Sequence, residues 1–223
     1  MRNRYVLKLS KTGYLKYISH LDMMRLFRRA FKIASIRLDY TQWYNPHPRM
    51  SFAQPLPLGY SSSCEMLEFE LKNDLLPGEA VRRLNSALPD GISVYGCERV
   101  EEGKKGLAAT LTASSYEICI PAGQGLRRDA GALCDDFLCQ EKIIAVKKRK
   151  KTELTEEIDI KGMIRELSAD FVDGKITMYT KVDSGGVSNL SPELLISAFV
   201  SFSGIEVLRE EIDVKRTGLY FGL

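Results

Sequence analysis

The side chains best suited to acid–base chemistry are the two histidines of the chain, His20 and His47. An imidazole changes protonation near neutral pH, so two of them beside one phosphodiester can act as acid and base in RNA cleavage driven by the 2′-hydroxyl. The sequence also allows simpler roles for both. His20 stands at the expected first turn of a helix and can help to cap it, and His47 lies between two prolines and can hydrogen-bond within its own loop. Catalysis by this pair is therefore the enzyme hypothesis.

A row of positive charge follows His20 in the same predicted helix. Its members have the spacing i, i+3, i+4 and i+7, so they share one face of a helix, roughly opposite an apolar stripe. This cationic ridge consists of Arg25, Arg28, Arg29 and Lys32. Like charges on one face repel each other, and phosphate is a natural counter-charge because arginine can bind it with two hydrogen bonds. The ridge predicts a nucleic-acid contact, although solvated helix faces without a ligand have similar patterns.

The stretch YTQWYNPHPRMSFAQPLPLG, from Tyr40 to Gly59, combines aromatic rings with cations and amides. Proteins recognise single-stranded RNA in this way: rings stack on bases, arginines hold phosphates and amides contact base edges. Four prolines stiffen the stretch. The residues predicted to contact RNA here are Trp43, Tyr44, Asn45, Arg49, Ser51 and Phe52. The alternative is a proline-stiffened loop in which the rings of Trp43 and Phe52 pack on the core.

Positive charge is concentrated at the amino-terminal end of the chain. Residues 1–50 contain eleven Lys and Arg against two acidic residues, a net charge of +9, whereas the whole chain carries only +3. Such asymmetry indicates a polyanionic partner for one end of the molecule. A second basic run, Lys147–Lys151, fits either a solvated hairpin or an arm that touches RNA.

Several classes of protein are disfavoured by composition. With 223 residues, 44% of them hydrophobic, the chain can bury a core without disulfides or metals. Its five cysteines have irregular spacing, which predicts reduced thiols and no metal site or cofactor. No P-loop, G-x-G-x-x-G or H-E-x-x-H motif occurs, and no apolar run reaches the roughly 18 residues of a membrane span. Without a signal-peptide pattern either, we expect a cytoplasmic protein with no membrane contact.

The elements that must position these residues follow a β-α-β-β-α-β order in the first half of the chain. Ser19 followed by Asp22 is typical of a helix start, and the apolar stripe from Leu21 through Met24 and Phe27 continues to Ala34. The other predicted elements are strand Tyr5–Ser10, strand Ile36–Thr41, the irregular loop Asn45–Gly59, strand Cys64–Leu71, helix Pro77–Leu88 and strand Ile92–Val100.

The same order repeats after the polar linker Glu101–Gly106, with an insertion in the middle. The predicted elements are strand Tyr116–Pro121, helix Leu126–Gln140, a strand from Ile143, a short helix Met163–Leu167, strand Lys175–Val182, a helix from Ser191 to Gly204 and strand Glu206–Lys215. We therefore predict an α+β protein of two tandem ferredoxin-like (βαββαβ) units with antiparallel sheets, residues 1–103 and 107–223.

Three stretches carry a family resemblance: YISHLDMMR from Tyr17, YNPHPR from Tyr44 and SFAQPLPLG from Ser51. Together they resemble the bacterial radical-SAM-associated family of unknown function, whose members occur alone or at the C-terminal end of B12-binding radical SAM proteins. The motif positions that the resemblance carries over to this sequence are His20, Asp22, Arg25, Asn45, His47, Arg49, Ser51 and Phe52.

The resemblance implies a protein partner, a B12-binding radical SAM protein. The C-x3-C-x2-C motif that radical SAM enzymes need is absent, so radical chemistry would belong to another polypeptide. Three hypotheses follow. The first is an RNA-binding accessory protein acting with a radical SAM enzyme in tRNA or rRNA modification or processing. The others are a metal-independent ribonuclease and a protein-interaction module that docks on the radical SAM partner.

Overall fold

The chain forms two compact units of mixed α+β structure in the computed structural model, which describes residues 3–42, 44–123, 129–148 and 155–222. The first unit continues to Leu111 and also includes Phe221, and the second comprises Thr112–Tyr220. The segment Glu101–Gly106, expected to link the units, belongs to the first. One of its contacts there is with Arg4, which donates a side-chain hydrogen bond to the carbonyl of Lys104 (2.6 Å).

The first unit contains an antiparallel sheet and helices in the order β-α-β-β-α-β, followed by one helical turn. Its elements are β1 (Asn3–Lys11), α1 (His20–Ile33), β2 (Met50–Phe52), β3 (Ser61–Leu71), α2 (Pro77–Asn85), β4 (Ile92–Arg99) and α3 (Leu107–Thr110). Strand β1 lies between β4 and β3, and β2 pairs with β3, so the strand order is β4-β1-β3-β2.

Local sequence explains how β1 and α1 form. Tyr5, Leu7 and Leu9 alternate along β1 and are fully buried, because successive side chains of a strand point to opposite faces. At the start of α1 the hydroxyl of Ser19 accepts a hydrogen bond from the backbone N–H of Asp22 (3.2 Å). The predicted helix start is therefore confirmed.

The buried face of α1 is rotated relative to the predicted stripe. Met23 is buried with Phe27, Ala30 and Phe31, whereas Leu21 is 65% exposed. Residues separated by two positions in a helix lie about 200° apart, so Leu21 cannot share a face with Met23. With the buried face in this position, all four residues of the cationic ridge remain exposed.

The second strand of the first unit lies elsewhere than predicted. Residues 36–41 make only isolated bridges, at Leu38 and Tyr40, and the strand is β2, inside the stretch expected to be irregular. Prolines remove backbone donors, but the three residues of β2 lie between Pro48 and Pro55 and keep theirs. A three-residue edge strand needs only the backbone donors of its own residues, so β2 can pair with β3.

The second unit has a β-α-β-β-α-β order interrupted by a hairpin. Its elements are β5 (Leu111–Pro121), α4 (Ala130–Cys139), β6 (Ile144–Lys148), β7 (Thr155–Asp159), β8 (Ile164–Val172), β9 (Lys175–Asp183), α5 (Pro192–Ser203) and β10 (Asp213–Phe221). The strand order is β10-β5-β9-β8, and β6 and β7 form a separate two-stranded sheet. Phe137 of α4 packs on Phe199 of α5, with ring centroids 5.3 Å apart.

Two elements of the second unit were predicted wrongly. Residues 163–167 were expected to be helical. Met163 precedes β8 and residues 164–167 belong to it, because pairing with β9 overrides the local preference of these residues. The last strand, expected at 206–215, begins at Asp213, since a helical turn at Arg209–Glu211 precedes it. The predicted start of the helix at Leu126 lies outside the described residues.

No helix in the described part of the chain has the length and apolar character needed to span a membrane.

Candidate functional site

The cationic ridge occupies the solvent-facing side of α1. Arg25 is ion-paired with Asp22 (2.9 Å), and a hydrogen bond from Ser19, followed by that from Arg25, lowers the pKa of Asp22. The other three members of the ridge, Arg28, Arg29 and Lys32, are exposed and have no side-chain partner among the described residues. Most of the ridge is therefore uncompensated positive charge.

The end of α1 brings a fifth cation to the ridge. The backbone N–H of Ile36 donates to the carbonyl of Phe31 (2.9 Å), and that of Ser35 donates to the carbonyl of Lys32 (3.2 Å). This pair of bonds is the Schellman motif, in which the residue after the helix takes a left-handed conformation; here it is Ser35, with φ of 56°. The chain reverses at once, so Arg37 comes to lie beside α1.

A sixth cation, Lys72, comes from the end of β3. Leu38 bridges to Leu71, and the backbone N–H of Lys72 donates to the carbonyl of Arg37 (3.2 Å). Neither Arg37 nor Lys72 was among the predicted site residues. The alternation of buried Ile36 and Leu38 around Arg37 could have shown that Arg37 points outward. Nothing in the sequence indicates Lys72, which depends on pairing between distant segments.

These six cations line one groove of about 880 Å³, which we call the cationic groove. They are Arg25, Arg28, Arg29, Lys32, Arg37 and Lys72. Tyr40, whose side chain is 41% exposed, contributes an aromatic ring, and no carboxylate is found among the described lining residues. The cations therefore repel each other in a concave site, where they favour a ligand that carries several negative charges.

The predicted RNA-binding loop begins beside this groove. Tyr40 bridges to Pro48, and the backbone N–H of Thr41 donates to the carbonyl of His47 (2.9 Å), which closes an irregular hairpin. Tyr44 and Asn45 lie at its exposed tip. Tyr40 lines the cationic groove as well, so the ridge and the hairpin adjoin one another. Trp43 lies outside the described residues.

Arg49 and Phe52 have different surroundings from those the sequence suggested. The Nε of Arg49 lies 3.6 Å from carboxylate oxygens of both Asp39 and Glu70, so neighbouring acids compensate its charge. Phe52 is 7% exposed and packs against Phe27 with a centroid distance of 5.8 Å. A buried ring cannot stack on a base, so the core-packing alternative holds for Phe52.

Ser51 is the exposed residue of β2, because side chains alternate along a strand and its neighbours Met50 and Phe52 point into the core.

The two histidines lie in different environments. His20 is half-buried against Phe52, at a centroid distance of 5.7 Å, and burial lowers its pKa below the ordinary 6.5. His47 is exposed, and its backbone N–H is bonded to the hydroxyl of Thr41 (3.0 Å). No interaction among the described residues joins the two imidazoles. The ribonuclease hypothesis therefore has no support from their geometry and stays a prediction.

The basic run Lys147–Lys151 starts in the β6–β7 hairpin, where Lys147 pairs across the ladder with Glu156. Residues 149–151 lie outside the described residues, so the predicted RNA-touching arm stays a prediction.

Comparison with known proteins adds a family. Residues 4–192 match the model of a family described as "Uncharacterized protein conserved in bacteria (DUF2344)". The chain belongs to this family. The motif positions on which the sequence resemblance rests, from His20 to Phe52, fall inside the matched range. No curated protein matches the sequence.

Two of the solved structures that match this chain resemble it weakly. One, "Crystal Structure of a Cbf5-Nop10-Gar1 Complex", has 8% identity and a TM-score of 0.47 over 96% of this chain. The chain described here spans 48% of the length of that chain. The other, "Crystal Structure of an Unknown Protein from Galdieria sulphuraria", has 13% identity and a TM-score of 0.29, covering 100% of both chains. Similarity this low shows neither a shared fold nor a shared function.

Proposed function

We propose that this protein binds RNA through the cationic groove and the adjoining hairpin, as an accessory to a radical SAM enzyme in tRNA or rRNA modification or processing. One observation carries the proposal: six cations surround one groove, no carboxylate is found among its described lining residues, and of the six only Arg25 forms an ion pair with another described residue.

The chemistry of the groove favours a polyanion over a small anion. Its cations come from the length of α1, from the segment after α1 and from the end of β3, so one phosphate cannot contact all of them. A phosphodiester chain can, and every contact releases condensed counterions, which is the main source of affinity in nucleic-acid binding. Tyr44 and Asn45 at the tip of the hairpin supply a ring for stacking and an amide for base edges.

We also propose that each unit is ferredoxin-like. The element order β-α-β-β-α-β and the strand order β4-β1-β3-β2 support this in the first unit. In the second unit the corresponding order β10-β5-β9-β8 supports it, with the β6–β7 hairpin as the insertion.

The radical SAM partner is proposed on the sequence resemblance alone. This chain lacks a C-x3-C-x2-C motif, so the proposal assigns any radical chemistry to the partner. A cytoplasmic location is part of the same proposal.

The test is the affinity for a labelled single-stranded RNA, measured by fluorescence anisotropy over a range of salt concentrations. We expect binding of the wild-type protein to weaken steeply with salt. The Arg28→Ala/Arg29→Ala variant, which loses two unpaired cations, should bind more weakly at low salt. Its slope of log K against log salt should be shallower by about 1.4, or about 0.7 for each lost phosphate contact.

A matched control removes the same charge elsewhere. Lys142 and Lys175 are exposed residues of the second unit that do not line the groove. The Lys142→Ala/Lys175→Ala variant should keep the wild-type affinity and slope. The proposal is wrong if the wild-type protein does not bind RNA at low salt, or if the two double variants bind equally well.

A further inference from the structure

A second groove runs along the opposite side of the cationic ridge. It has a volume of about 590 Å³ and shares Arg25 and Arg29 with the cationic groove. Apart from Ser86, the rest of its described lining is apolar and comes from α1 and from the turn after α2: Leu26, Ala30, Ile33, Ala87, Leu88 and Pro89. We call it the apolar groove. The ridge thus has a charged groove on one side and an aliphatic groove on the other.

The aliphatic surface of this groove is open to solvent. Ile33 is 59% exposed, although it is a large hydrophobic residue at the end of α1, and Leu88 is only partly buried. Both side chains are available to a ligand without rearrangement of the core. A ligand that fits must combine an apolar face with a negative charge, because the apolar lining has the guanidinium groups of Arg25 and Arg29 at its edge.

The end of α2 fixes how such a ligand would be oriented. The backbone N–H groups of Ala87 and Leu88 both donate to the carbonyl of Leu84 (2.9 and 3.0 Å), and the hydroxyl of Ser86 donates to the carbonyl of Arg83 (2.8 Å). These donors are already used, and a helix C-terminus carries partial negative charge, which disfavours an anion. The charged part of the ligand therefore lies towards α1, and its apolar part lies towards α2.

We propose that the apolar groove holds an unstacked nucleobase of single-stranded RNA, with the adjacent phosphates on Arg25 and Arg29. The proposal rests on the RNA-binding function proposed above and specifies its substrate as unpaired RNA. A nucleobase has flat apolar faces that pack on aliphatic side chains, and in the chain it is always next to a phosphate. From Arg25 and Arg29 the strand continues into the cationic groove on the other side of the ridge. Bases in a duplex are stacked and paired, so they cannot enter.

The experiment compares three probes: a short single-stranded RNA, an abasic strand with the same number of phosphates, and the same strand in a duplex, which carries twice as many. The wild-type protein should bind the base-bearing single strand more tightly than the other two. The variant Ile33→Ser should lose roughly fivefold in affinity for that strand, the size expected for one lost apolar contact. The slope of log K against log salt should not change, because no charge is removed. For the abasic strand, Ile33→Ser and wild type should be equal.

The matched control is Val187→Ser, which shortens a fully exposed aliphatic residue of the second unit and should leave all three affinities unchanged. Because Ile33 is more than half exposed, Ile33→Ser should fold normally, and its thermal unfolding checks this. If Ile33→Ser binds the base-bearing strand as well as wild type does, or if the abasic strand binds equally well, the nucleobase site is wrong and the proposed function stands. If the wild-type protein binds no probe, the proposed function itself fails.

Discussion

At the scale of single residues, His20 belongs to a small polar cluster inside the first unit. Its imidazole lies against Phe52 and lines a cavity of about 10 Å³ together with the buried Lys11 and Glu65. The ammonium group of Lys11 donates to the carbonyls of Lys16 (3.3 Å) and Ile18 (3.1 Å), which fixes the turn before α1. The cluster therefore stabilises the turn that leads into α1.

The buried position of His20 predicts how stability depends on pH. Burial lowers its pKa in the folded protein below the ordinary 6.5, while the nearby Glu65 raises it and Lys11 lowers it further. The unfolded chain therefore binds a proton first as the pH falls. The stability that depends on neutral His20 is complete above about pH 6.5 and is lost as the pH falls towards the folded pKa.

The measurement is the free energy of unfolding from urea titrations between about pH 7.5 and 5. His20→Gln should lose less stability over this range than the wild-type protein, because it lacks the titrating group. His47→Gln, which replaces the exposed histidine of the hairpin, is the matched control. Equal pH dependence in wild type and His20→Gln would contradict a lowered pKa of His20 in the folded protein.

At the scale of elements, β2 is the strand of the first unit that its sequence did not predict. The backbone N–H of Glu70 donates to the carbonyl of Arg49, and that of Ala53 donates to the carbonyl of Met66 (both 2.9 Å). Alternate residues of an antiparallel strand exchange backbone hydrogen bonds, so the N–H of Ser51, midway between these bonds, donates to its ladder partner Glu68. The strand is therefore held by its backbone and not by the exposed side chain of Ser51.

This arrangement predicts different effects for two substitutions at Ser51. Ser51→Pro removes a ladder donor and should cost about 2 kcal/mol of unfolding free energy. Ser51→Ala keeps the N–H and should stay within about 0.5 kcal/mol of wild type, as other surface changes do. Urea unfolding of both variants decides the matter. Two equal effects would mean that β2 is not held in this way.

Elements that depend on local sequence were predicted well, and those that depend on distant pairing were not. The cap at Ser19, the periodicity of α1 and the alternation of β1 are visible in consecutive residues. Strand β8 forms because it pairs with β9, and this pairing could not be predicted from the residues of β8 alone.

The residues of the candidate site also differ in whether local sequence could predict them. The ridge follows from helical spacing, whereas Lys72 joins it through the bridge between Leu38 and Leu71. The apolar groove combines α1 with the turn after α2, so no single segment could have indicated it. Arg49 was expected to hold phosphate because its neighbours Asp39 and Glu70, on other segments, could not be anticipated.

At the scale of the whole molecule, a modest net charge conceals a strong asymmetry. The chain carries +3 overall, but its first 50 residues carry +9. Part of that excess is compensated within the first unit, as in the ion pairs of Arg4 with Glu68 (3.3 Å) and of Lys8 with Glu98. Four other cations of these 50 residues, Arg28, Arg29, Lys32 and Arg37, line the cationic groove and have no ion-pair partner among the described residues. The net charge is therefore a poor guide to the affinity of this protein for polyanions.

This distribution predicts that the protein, purified from a bacterial lysate at low ionic strength, carries RNA with it. Absorbance at 260 nm relative to 280 nm should be raised. A wash in 1 M salt should remove the RNA, because the Debye length falls to about 3 Å and screens the groove. Arg28→Ala/Arg29→Ala/Lys32→Ala should carry much less RNA, whereas Lys142→Ala/Lys175→Ala should carry as much as wild type. Equal loads on both variants, or RNA that survives the salt wash, would show that the groove does not recruit RNA by its charge.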